Sequence, residues 1–166
     1  GARLFKVFLE KLAASYPTFW IHGNHDILYG NKFVQMLQEN SDAHCVAVEA
    51  ALWTSDRGFA YNFVTLDQPP ILQENKATIL LHHNPEQIKN KDLSQFSFTL
   101  SGHLHGTQYV LGRTKEGRAI PGNIMYKYCF DRKETQGTTM IISKGIGDTI
   151  PGRFNCKREV VLLEVS

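Results

Sequence analysis

The order of elements read along the chain predicts an α/β or layered α+β sandwich. Strand-like and helix-like segments alternate through the first half, and consecutive short β-type runs fill the second. In addition, three histidine-bearing segments each stand immediately after a predicted strand. The 166 residues, 42% apolar and 20% charged, suffice for one domain with its own hydrophobic core.

Phe5, Phe8, Leu9 and Leu12 recur at i, i+3, i+4 and i+7, which predicts an amphipathic helix over 3–15, closed by Pro17. Residues 18–21 are β-branched and aromatic and read as a strand running into Gly23-Asn24-His25-Asp26. A second helix is expected over 30–39, and strands over 45–48, 59–64 and 77–81. The last of these runs into His82-His83-Asn84-Pro85, with a short helix from Pro85 to about Lys91, since proline is tolerated in a first turn. Residues 97–100 form a further strand, ending at Gly102-His103-Leu104-His105-Gly106. Beyond it, 124–131 and 138–143 read as a hairpin around the polar connection 133–137, 144–151 as a loop, and 159–165 as a final strand. Neither repeats nor low-complexity tracts occur, so 1–166 is read as a single domain.

The formal charge of +2 gives no support for nucleic acid or an anionic membrane surface as partner. Cys45, Cys129 and Cys156 are odd in number and form no C-x-x-C pair. They read as small buried hydrophobes in a reducing compartment. Neither a signal peptide nor a membrane span is visible, although an upstream targeting segment would fall before Gly1.

Residues at the carboxyl ends of strands commonly face a shared crevice. Three strand ends delivering imidazole is more than a packed core requires. His103 and His105 are two apart, and in an extended segment they would point to one face, toward one or two metal ions. Imidazole suits zinc, iron, nickel and copper, and the amide oxygen of Asn24 suits a site of mixed oxygen and nitrogen donors. His25 reads as a ligand or an acid, with Asp26 placed to orient its ring. His83 stands ahead of Asn84-Pro85, a step that favours extended backbone, and His82 then points the other way. Arg113, Lys115 and Arg118 read as a solvated loop, or as contacts to a phosphate-bearing substrate. None of H-E-x-x-H, G-x-S-x-G, G-x-G-x-x-G or the P-loop pattern occurs.

The ordered set G-N-H-D, an isolated His before a Pro-containing turn, and G-H-x-H resembles the calcineurin-like metallophosphoesterases. The stretches Thr138-Thr139-Met140, Ser143-Lys144-Gly145-Ile146-Gly147, Arg153-Phe154-Asn155-Cys156 and Glu159-Val160-Val161 are similar to their bacterial, single-domain phosphodiesterase-like branch. The resemblance runs from about Leu4 to the end. It implies a layered α/β/β/α sandwich that hydrolyses phosphate mono- or diesters with two divalent ions such as manganese, iron or zinc. It implies Asn24, His83 and His103 as ligands of one ion, His105 as ligand of the other, and His25 near the phosphate, steered by Asp26.

The family's D-x-H and G-D-x-x-D motifs, which carry its carboxylate ligands, are absent from the 166 residues. Asp42-Ala43-His44 matches D-x-H in letters but precedes a predicted strand, and Gly147-Asp148 lacks the second aspartate. The chain thus reads as the carboxy-terminal portion of such a domain, lacking its amino-terminal strands. It is expected to hold at most one ion well and to be impaired as a catalyst. A fragment, a missing half on another chain, and a degenerate homologue or non-catalytic metal-binding module all fit this absence. Sheet edges left open would favour strand exchange or dimerisation. The expected location is cytoplasmic, or at the cytoplasmic membrane through a segment preceding Gly1.

Overall fold

The stripe at the amino end does form a helix: α1 spans Ala2–Ala13, with an i,i+4 ion pair between Lys6 and Glu10. Of the four stripe residues only Leu9 is fully buried, while Phe5 and Phe8 remain 40% and 50% exposed. The computed structural model describes residues 2–28, 30, 32, 35, 44–45, 51–66 and 76–164. They fall in two compact units, Gly1–His83 and Asn84–Ser166.

In the first unit, β1 (Phe19–Trp20) pairs in parallel with β2 (His44–Cys45), and α2 (Asn24–Leu28) follows β1. The predicted helix over 30–39 and Asp42 lie largely or wholly outside the described residues. β3 (Ala51–Thr54) runs antiparallel to β4 (Ala60–Val64), which runs parallel to β5 (Ala77–Leu81). The sequence reading missed β3, which has four residues and one clear aromatic. It is held by cross-strand pairing, with Trp53 opposite Tyr61 and their rings 5.6 Å apart. Thr78, Ile79 and Leu80 of β5 are buried in succession, as in a strand covered on both faces.

In the second unit, Pro85–Ile88 is a 3-10 turn capped by Asn84, whose side chain accepts from the Glu86 N–H. β6 (Phe98–Ser101) lies parallel to β10 (Thr138–Ile142), which is antiparallel to β9 (Arg132–Thr135); the short pair β7 (Gly112–Arg113) and β8 (Ala119–Ile120) stands apart. The hairpin exists, but its first strand is 132–135 rather than 124–131. Its turn is Gln136-Gly137, both at positive φ (51° and 80°), a pairing that suits a two-residue hairpin loop. β9 is polar and exposed, so hydrophobic pattern cannot reveal it; backbone pairing to β10 makes it a strand. Conversely, 159–164 is not a strand. Val160 and Leu162 are 87% and 94% exposed, and β-propensity makes no strand where no ladder forms.

The fold class is α/β: mixed parallel and antiparallel strands flanked by helices. No helix among the described residues is long and apolar enough to cross a membrane. Beneath the G-H-x-H segment, Leu104, Val110, Ala119, Cys129 and Cys156 form a buried cluster against which Tyr126 packs. Cys129 and Cys156 are free thiols inside it, and burial pushes the Cys129 thiol above its ordinary pKa.

Candidate functional site

Gly23-Asn24-His25-Asp26 opens α2 rather than forming an isolated turn. Asp26 closes the entry, its carboxylate accepting from the Gly23 N–H at 2.7 Å, the bond by which a third-position acid satisfies the residue before a helix. Asp26 thereby fixes the turn that presents Asn24 and His25, both exposed. Gly23 is buried for a different reason: a Cβ there would lie 2.7 Å from the His83 ring. The absent side chain is the space in which His83 sits.

The structure brings His83 to Asn24 across 59 residues of sequence, with Nε2 2.9 Å from Oδ1. With a proton on Nε2 this contact is a hydrogen bond. Without one, two lone pairs face a common point, and two donors each about 2.1 Å from one ion lie about 3 Å apart at adjacent corners of its coordination sphere. An amide oxygen and an imidazole nitrogen are therefore set together at a spacing that fits a divalent ion.

The second unit carries the G-H-x-H pair, and here the extended geometry expected from the sequence gives way to a contorted turn. His103 and His105 both have positive φ (69° and 49°), as do Gly106, Thr107 and Gln108, and His105–Thr107 is a 3-10 turn. The reason lies in Leu104, which must enter the buried cluster directly after β6 ends. Left-handed conformations at non-glycine residues cost about 1 kcal/mol or more each and cluster at sites where geometry serves function. Gly106 completes the turn: its φ is 63°, and a Cβ would come within 2.6 Å of Cys156 Sγ. The Cys156 thiol donates to the His105 and Gly106 carbonyls, tying this backbone to the cluster. The His105 ring is fixed at one nitrogen, Nδ1 lying 2.8 Å from the Gly147 carbonyl oxygen.

Among the described residues, no group of three or more His, Cys, Asp or Glu side chains is drawn together so as to hold a metal ion. Asn24, His83, His103 and His105 suit a divalent ion in donor type, but all are neutral, so an ion held there would need carboxylates other than these for charge compensation. Asp148 does not provide it. Its carboxylate is held below the ordinary aspartate range chiefly by the hydrogen bond from Arg153, with Arg158 as a second partner. Arg113 is likewise engaged, with Asp131 at 2.9 Å and the Gly117 carbonyl, and Arg118 lies 3.8 Å from Glu116; both fit a structural role in the β7–β8 loop. Sequence reasoning passed over Gln108, and it named Arg153 only within the resembling stretch Arg153-Phe154-Asn155-Cys156, without a role. Their polarity beside buried neighbours was the available signal.

On this frame of mixed strands and helices, the chain has a distant homology to the metallophosphoesterase superfamily. In an alignment of 114 positions, covering 60% of this chain and 30% of the relative, it is 31% identical to the uncharacterized metallophosphoesterase Cj0846 of Campylobacter jejuni. It is 25% identical over 171 residues to the phosphodiesterase YaeI of Escherichia coli, with 97% of this chain and 63% of the relative aligned. An uncharacterized metallophosphoesterase of Helicobacter pylori is 26% identical over 179 residues, with 97% and 46% aligned. The chain thus covers less than two thirds of each of these relatives. No protein-family model and no solved structure matches it.

Proposed function

We propose that this chain is the carboxy-terminal part of a metal-dependent phosphoesterase domain of the calcineurin-like type, in its bacterial phosphodiesterase-like branch. The complete enzyme would hydrolyse phosphate mono- or diesters with two divalent ions. The observation that carries the reading is the pairing of Asn24 Oδ1 with His83 Nε2 at 2.9 Å, two donors that separate motifs supply in the family's order. On the same motif order, His103 joins them at one ion and His105 serves the other. Bound ions of this kind supply hydroxide near neutral pH and neutralise charge on the phosphate oxygens.

The chain's own residues divide the remaining work. Asn24 and His83 orient one another. His25, exposed beside Asn24, holds or gives a proton at the leaving oxygen, and Asp26 keeps the turn that carries it in place. The 166 residues alone are proposed to be a poor catalyst, because none of the matched donors is a carboxylate and two dications would go uncompensated.

The complete protein, supplied with manganese or another divalent ion, is expected to hydrolyse bis(p-nitrophenyl) phosphate and to lose most of that activity with His105→Ala. Absence of turnover with every divalent ion tried overturns the proposal.

A further inference from the structure

We propose that Arg153 is a positioning residue for His105: with the buried amide of Gln108 it clamps the 147–152 loop, so that the Gly147 carbonyl holds the His105 proton on Nδ1 and leaves Nε2 as the metal donor. The proposal rests on the reading of His105 as a ligand.

The 147–152 loop is exposed and contains Gly147 and Gly152, so nothing in its own sequence would fix the Gly147 carbonyl. Two side chains do so from beneath. Gln108 is 4% exposed and commits its whole amide to the loop. Its Nε2 donates to the Ile150 and Gly152 carbonyls at 2.7 and 3.0 Å, and its Oε1 accepts from the Thr149 and Ile150 N–H groups at 2.9 and 3.1 Å. Both donors and both lone pairs of a primary amide are thereby used. Arg153 is charged, yet only 6% of its side chain is exposed. Burying a guanidinium is costly unless its donors are satisfied, and here they are. Nε donates to Asp148 Oδ1 at 2.6 Å, and Nη2 donates to the Lys144 carbonyl at 2.9 Å and to the Gly147 carbonyl at 2.6 Å. Asp148 is held in turn by Arg158.

The Gly147 oxygen therefore receives two hydrogen bonds, one from Arg153 and one from His105, matching its two lone pairs. A carbonyl cannot donate, so His105 Nδ1 must carry the hydrogen, and the unprotonated nitrogen is Nε2. This is the arrangement by which a backbone carbonyl fixes the tautomer of a metal-binding histidine. Arg153 reaches the ring only through the carbonyl. It is a positioning residue, not a catalytic one.

Long-range proton–nitrogen correlation spectra of the complete protein, stripped of metal and at a pH where His105 is neutral, test this. The unsubstituted chain is expected to show His105 with its proton on Nδ1. Arg153→Met removes the donors, and the Nδ1–H population should fall toward a mixture of tautomers. Arg153→Lys keeps charge but not the planar fork, so it should lie between the two. Arg132→Met, on exposed β9, should change nothing. Where Arg153→Met does not fold, the lysine variant decides. A proton found on Nε2 in the unsubstituted chain, or an unchanged tautomer ratio in the Arg153 variants, overturns the clamp. Retained turnover in His105→Ala of the complete protein instead overturns the ligand reading and leaves the clamp standing.

Discussion

Gly23 and His83 are coupled by shape: the ring occupies the volume that any side chain at position 23 would need. Gly23→Ala should therefore displace His83 from Asn24 and cost about 1–3 kcal/mol, the usual range for overpacking a filled site. Urea unfolding measures the loss, and the chemical shifts of the His83 ring report the displacement; an unshifted ring would contradict the packing. The residue scale is also where sequence reading met its limit. The meeting of Asn24 and His83 was legible in the sequence, because their motifs and order are recognisable. The conformation of His103 and His105 was not, because an H-x-H spacing says nothing about how abruptly Leu104 must turn inward. The motif places Asp26 to steer His25; in the structure its carboxylate accepts from the Gly23 N–H, a role that its spacing from the helix start suggests. Gln108 and Arg153 were illegible as a clamp because the partners of Gln108 are backbone groups over forty residues away, and those of Arg153 are the Asp148 carboxylate and backbone carbonyls around a glycine-rich loop.

Elements marked by a clear apolar period or run, α1, β4, β5 and β6, emerged from the sequence within a few residues. Those that failed share one cause. A strand is a pairing, so polar β9 exists because β10 offers it a ladder, and apolar 159–164 is not a strand because no ladder forms. The two strands of the hairpin differ correspondingly in energetic weight. Met140 on β10 is fully buried, and Met140→Ala should destabilise by about 2–5 kcal/mol. Arg132 on β9 is 70% exposed and pairs with a similarly exposed Glu134, so Arg132→Ala should stay within about 0.5 kcal/mol. Denaturant midpoints of the two variants check this; similar losses would contradict the division.

For the molecule as a whole, the α/β class was legible from the alternation of elements, and kinship with metallophosphoesterases from three short motifs. Under the proposed function, the lack of G-D-x-x-D and of a D-x-H at a strand end matters equally, since neutral donors alone would leave two dications uncompensated. Metal content of the complete protein, by elemental analysis after removal of loosely held ions, tests the central claim most directly. Two divalent ions per chain are expected, falling to one with His105→Ala. No retained metal, or two ions retained in the variant, would contradict it.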